Sequence, residues 1–185
     1  MHHRSYLLTS ATIAVFAAAT LSAECTREGL LAAANSYLAA QAAGKPSTLS
    51  LTSTNFTYLQ NNSATDIATG LLSVPFVIDF NRSTADTAAC ASYTMWISTS
   101  ASEPHVVGTQ IRHADNDTSI ISSIDTVAAT TGDLFFDAAK TLSYIRAETW
   151  ATLPVLLQPS RDLLRSIGDA YLDMWTNAAA ADTIP

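Results

Sequence analysis

Side chains equipped for chemistry are few in this 185-residue chain, and the familiar constellations are missing. Only two histidines, His105 and His113, stand beyond residue 23, and no GxSxG turn presents a serine, so nucleophilic hydrolysis has no apparatus. The two histidines lie eight residues apart on or beside one extended run. A strand's period of two puts both on one face, but the distance is far too long for one metal ion without further ligands. Asp115 and Asp117 could lend oxygens, yet a turn rich in Asp and Asn is ordinarily a solvated turn. No metal site is therefore assigned. The six glycines are too scattered to form GxGxxG or GxxxxGK[ST], which excludes phosphate cradles of those two kinds. Neither a CxxC pair nor a haem-attachment motif occurs, so no cofactor is expected.

What remains is a set of carboxylates and phenols inside segments of strand character. Asp125 sits in SSIDTV, flanked by Ile124 and Val127, where a carboxylate is unusual. On an alternating strand it is either a solvated outward acid or a functional one. Asp79 in VIDF either serves a pocket or caps the turn at Asn81-Arg82. Tyr58 and Tyr93 can turn a hydroxyl inward or act as amphipathic sheet residues. Met95 and Trp96 are adjacent and must face opposite sides, so one of them lines the core or a pocket. His105 follows Pro104 at a strand start and is expected to be exposed.

The elements that must position these residues follow from period and punctuation. Residues 26–43 read as a helix stopped by Gly44 and Pro46, with Leu30, Ala34, Tyr37, Leu38 and Gln41 on one face. Strands are expected over 55–60, 74–80, 88–99, 105–113 and 118–128, with Asn116-Asp117 turning between the last two. Beyond Gly132 the period changes. Asp137 can cap a helix to about Ala151, and Ser160 another over 161–178, whose Leu163, Leu164, Ile167, Tyr171, Leu172 and Trp175 make an apolar stripe. A helix, a run of mostly antiparallel strands and then helices make the fold class α+β.

The N-terminus carries an address. His2, His3 and Arg4 precede an uncharged, largely apolar run that ends at Leu21-Ser22-Ala23, the layout of a secretory signal cleaved after Ala23. That run is too short and too rich in Ser and Thr for a stable membrane span, and no second one follows. Residues 24–185 then form one domain. Asn55, Asn61, Asn81 and Asn116 each begin a glycosylation acceptor triplet, in keeping with export to a secreted location. Cys25 and Cys90 allow a single pairing, and a disulfide is the default in an oxidising compartment. By the chain-entropy model a loop of that size is worth roughly 4 kcal/mol. The formal net charge is −7, with 9 basic against 16 acidic residues and no basic cluster, so nucleic acid is a poor partner.

The order of the opening helix, the YLQN strand, Gly70-Leu71, a strand ending IDF, and the paired strands HVVGTQIRH and TSIISSIDTV resembles the SnoaL-like, ketosteroid-isomerase-like family. More narrowly, Cys25-Thr26-Arg27, Tyr58 to Asn61, Arg82-Ser83 with Asp86 and Cys90, Val107-Gly108-Thr109, Thr131-Gly132-Asp133 and Asp169 to Leu172 resemble a family of fungal secreted proteins of unknown function. The resemblance implies a cone: a curved, mostly antiparallel sheet wrapped around the N-terminal helix, with C-terminal helices and a pocket at the open end. It leaves a homodimer open. It also implies cofactor-independent isomerase or cyclase chemistry on an apolar small molecule, plausibly in fungal specialised metabolite biosynthesis. Such cones use a carboxylate or His as base and a Tyr to stabilise the developing oxyanion, with burial raising the carboxylate pKa. On that pattern Asp125, Tyr58 and Tyr93 are the catalytic candidates, and Asp79, Met95 and Trp96 the substrate-binding ones. The chain departs from the narrower family at Gln60 and Met95, where an acid is usual, and at Leu134, where a Trp is usual. Those missing acids motivate the alternative, a non-catalytic secreted protein that binds small ligands or host surfaces.

Overall fold

In the computed structural model, which describes residues 25–182 apart from 53, 115, 178, 180 and 181, the first helix begins and ends where local chemistry dictates. This is α1, Arg27–Ala43. Thr26 is extended, and its Oγ1 accepts the Gly29 N–H at 3.1 Å, satisfying one of the orphan donors of the first turn. At the other end Gly44 takes φ 62°, Lys45 N–H donates to Ala40 O at 2.9 Å, and Gly44 N–H donates to Gln41 O at 3.2 Å. This is a Schellman closure, which needs a residue without Cβ at the left-handed position. A Cβ on Gly44 would also stand 2.7 Å from the Pro75 nitrogen. All five residues expected on the apolar face of α1 are buried.

Six strands form one open sheet: β1 (Thr57–Gln60), β2 (Ser63–Ala64), β3 (Phe80–Asp86), β4 (Ala91–Ser98), β5 (His105–His113) and β6 (Ile121–Thr130). Their order is β2-β1-β6-β5-β4-β3, antiparallel throughout except between β1 and β6. Hydrogen bonds from Thr52 N–H to Ile121 O and from Ile121 N–H to Ser50 O carry the parallel pairing one step upstream of β1. The architecture is α+β, as the pattern of periods requires. Residues 1–23, expected to be a signal, and Asp115 lie outside the described residues. Among the described residues no helix is long and apolar enough to cross a membrane.

One strand is displaced from its expected place. Residues 74–80 were to be a strand, but 75–78 make no ladder, and the strand is Phe80–Asp86. Gln41, buried in α1, explains the first half: its Nε2 donates to Leu71 O and Val74 O, both at 3.0 Å, so this stretch is tied to the helix instead of to a neighbour strand. The second half escaped notice because FNRSTAD is polar. It is an edge strand, and edges favour polar residues. Asp86 then opens the return turn, its Oδ1 accepting the Ala88 and Ala89 N–H groups at 3.1 Å.

The sheet sorts its side chains by parity. Facing α1, the register sets Ser83, Thr94, Thr109, Thr126 and Gln60 side by side in a polar row, flanked by the row Ser92, Ile111, Ile124 and Tyr58. Tyr37 of α1 meets the polar row. Its hydroxyl lies 2.7 Å from Thr109 Oγ1 and accepts the Trp96 Nε1–H at 3.1 Å, while Thr109 and Thr126 hydroxyls lie 3.1 Å apart. All of these residues are essentially sealed from solvent.

The chain divides between Ser143 and Tyr144 into two compact units. Helix α2 (Ala138–Ala147) is capped by Asp137 Oδ1, which accepts Lys140 N–H at 2.8 Å. It ends at Ala147, four residues short of the expected Ala151. In the second unit α3 (Arg161–Asp173) starts at Ser160, whose Oγ accepts Leu163 N–H at 3.2 Å. It ends five residues before the expected 178, and its apolar stripe stays largely exposed.

Cys25 and Cys90 are joined, as expected, with Cα atoms 5.3 Å apart and a separation of 65 positions in sequence. The bond fixes the start of α1 to the β3–β4 turn. Replacing both cysteines by serine is expected to cost about 4 kcal/mol in urea unfolding, with the reduced wild type behaving like the double variant. Burial pushes the Tyr37 pKa from 10.0 up to about 12, against the opposing hydrogen bonds from Thr109 and Trp96. A phenol kept neutral in the fold gives stability that is complete below pH 10 and lost as pH rises toward 12. The loss is expected to reach about 3 kcal/mol. Tyr37→Phe should abolish that alkaline limb and lower stability at neutral pH by about 1–3 kcal/mol, since it orphans a buried indole N–H.

Candidate functional site

The strand face turned away from α1 carries a second row, Thr84, Tyr93, Gln110, Asp125 and Leu59, again set by register. Tyr93 and Asp125 stand on β4 and β6 with β5 between them, so their Cα atoms are about 10 Å apart across two strand spacings. What brings their side chains to one place is Gly108. It lies opposite Met95, and the Tyr93 ring leans diagonally over it; a Cβ there would stand 2.5 Å from Tyr93 Oη. The result is a hollow of about 280 Å³ lined by Tyr93, Gly108, Gln110, Asp125 and Val127.

Asp125 is the unusual member. Its Oδ1 is buried and has no hydrogen-bond partner, although buried polar atoms are normally paired. Gln110 opposite makes no hydrogen bond to this oxygen, and its own Oε1 accepts the Arg112 Nε–H at 3.1 Å. Tyr93 is 48% exposed and Val127 57%, so the hollow is walled by apolar surface yet open to solvent. Partial burial raises the Tyr93 pKa and keeps the phenol protonated at neutral pH.

The sequence candidates separate cleanly. Asp125 and Tyr93 come together in this hollow, and Met95 is on the same face, opposite Gly108. Tyr58 and Trp96 are on the α1 face, where Trp96 is fully buried and Phe76 packs 5.2 Å from it. Tyr58 is held there by a close approach: a Cβ on Gly70 would sit 2.7 Å from its ring. Burial raises its pKa, opposed by hydrogen bonds to the Leu72 backbone and the Thr126 hydroxyl. Asp79 is in neither place. Its Oδ2 accepts both the N–H and the hydroxyl of Thr99 at 2.7 Å, which ties the residue before β3 to the residue after β4. His105, expected to be exposed, is half-buried with its ring 4.8 Å from that of Phe76.

Gln60 has a clear structural task. Its Oε1 accepts the Leu71 N–H at 2.8 Å, clipping the turn at Leu71–Ser73 to β1. The four acceptor asparagines, Asn55, Asn61, Asn81 and Asn116, are all exposed. Asn61 also pairs with the Ala128 backbone, accepting its N–H at 2.8 Å and donating to its carbonyl at 3.2 Å.

Sequence reasoning missed Gly108, Gln110 and Val127. Gly108 was within reach, because an isolated glycine inside a strand signals a close approach by another group. Gln110 and Val127 gave no signal of their own, as only pairing register sets them beside Asp125.

Comparison of the chain with protein-family models, curated proteins and solved structures gave no significant match. The hollow is therefore read from its own geometry.

His113 is a further buried titratable group. It follows the irregularity between Arg112 and His113, its Nδ1 lies 2.9 Å from Ile120 O, and its Nε2 is buried without a partner. Desolvation lowers its pKa, against the raising influence of the Ile120 carbonyl and the Asp117 charge. The unfolded chain therefore binds a proton more readily, and His113 contributes stability that is present above pH 6.5 and lost as pH falls below it. Between pH 7 and 5 the unfolding midpoint should drop in wild type. In His113→Asn the drop should be smaller, as read by chemical denaturation at each pH.

Proposed function

We propose that this chain is a secreted small-ligand-binding protein that uses the outer-face hollow of a SnoaL-like cone. The observation that carries the reading is the unpartnered Asp125 oxygen at a hollow walled by Tyr93 and Val127. A buried acceptor left without a donor costs free energy, and a turn of the Asp125 carboxylate toward a ligand bearing an N–H or O–H in the hollow removes that cost. The cone is supported by the mostly antiparallel sheet with α1 against one face, and the secreted location by the Cys25–Cys90 bond. At about 280 Å³ the hollow is near the lower end of ligand sites, which suits a body of one ring with one polar end.

Binding is favoured over catalysis by two features. Of the two candidate phenols Tyr58 faces α1, away from Asp125, which leaves the base-plus-phenol arrangement of a cone isomerase or cyclase to Tyr93 alone. The hollow is also open, whereas proton abstraction next to a carbonyl gains most where water is excluded. The isomerase or cyclase reading keeps one support, the presence of Asp125 and the protonated Tyr93 in one hollow.

A fragment set of one-ring amines, alcohols and amides, followed by amide chemical shifts of the full chain, tests the reading. Hits are expected to move Gly108, Gln110, Asp125 and Val127, and Tyr93→Ala is expected to weaken them about tenfold. Hits confined to other surfaces would overturn it. Turnover of a carbonyl substrate that disappears in Asp125→Asn would move the conclusion to the enzyme.

A further inference from the structure

Within that reading, we propose that the ligand is a cation: a primary ammonium joined to a flat apolar body. The lining of the hollow holds one acid and no base. Arg112, next on the same face of β5, sends its Nε–H to Gln110 Oε1. Leu59 is directly opposite Asp125 on β1, and Val127 follows it on the same face of β6. The carboxylate thus has Leu59 and Val127 on two sides and the neutral Gln110 opposite on β5, with one oxygen buried and unpaired.

A part-buried carboxylate is best satisfied by a donor that carries positive charge, because the attraction of opposite charges adds to the hydrogen bond and is weakly screened away from bulk water. The second wall agrees. The Tyr93 ring leans over Gly108 and stays about half exposed, so it offers a π surface to a cation held at Asp125. The net charge of −7 adds a general bias that draws cations toward the molecule. An anionic ligand would meet Asp125 as a like charge, and a neutral alcohol would make the hydrogen bond without the attraction of opposite charges.

The test compares two probes of nearly one shape, tyramine and 4-hydroxyphenethyl alcohol, which differ in an ammonium against a hydroxyl. Each is titrated into the full chain while the Gly108 and Val127 amide shifts are followed. Tyramine is expected to bind at least tenfold more tightly than the alcohol, and Asp125→Asn is expected to remove that preference. Added salt should weaken tyramine and leave the alcohol unchanged. Equal affinity for the two probes in wild-type protein overturns the cation inference and leaves the ligand-binding reading standing. If neither shifts these amides, both fall. The wild-type comparison needs no variant, so it decides the question even if Asp125→Asn is destabilised.

Discussion

The hydroxyl of Tyr37 is the point on which the first unit turns. It is the one polar tip that α1 extends into a row of buried hydroxyls, and it bonds β4 through Trp96 and β5 through Thr109, with β6 next in line at Thr126. Every member is sealed from water, so each bond stands against the full desolvation cost of an unpaired group. Apolar contacts alone would let the helix slide along the sheet. A hydrogen-bonded node fixes both its height and its rotation.

That node has a consequence for where function can reside. With Tyr37, Trp96, Leu72 and Phe76 buried between helix and sheet, the α1 side is occupied by the protein's own aromatic and aliphatic groups. The two glutamines complete this side. Gln41 holds the 71–74 segment from the helix, and Gln60 holds the same segment from β1. An amide can serve as such a clip because it donates and accepts without bringing a charge into the interior. Among the described residues Thr52 Oγ1, Ser92 Oγ, Ser98 Oγ, His113 Nε2 and Asp125 Oδ1 are buried without a partner, and of these residues Asp125 is the one that lines the hollow on the opposite side of the sheet.

The two faces are separated by nothing more than strand parity. Thr126 and Asp125 are neighbours in sequence, yet one belongs to the buried hydroxyl row and the other to the hollow. The same holds for Trp96 and Met95. Tyr93 shares a face with Asp125 because both lie in one register row, while Tyr58 is in the row shared by Ile111 and Ile124.

Much of the architecture was legible in the residues. The apolar stripe of α1 and its caps, β5 to the residue, the capping roles of Asp137 and Ser160, and the pairing of the two cysteines all follow from local chemistry, which acts over a few residues or, for the cysteines, from having no alternative partner. The strand at 80–86 was not legible, since an edge strand's polarity hides its periodicity and Gln41 draws 71–74 away from the ladder. Asp125 stood out as an acid among apolar neighbours, but which groups would surround it did not. That was decided only by the pairing of β4, β5, β6 and β1, because register joins residues that are far apart along the chain, and one step of slippage would have sent Asp125 to the other face.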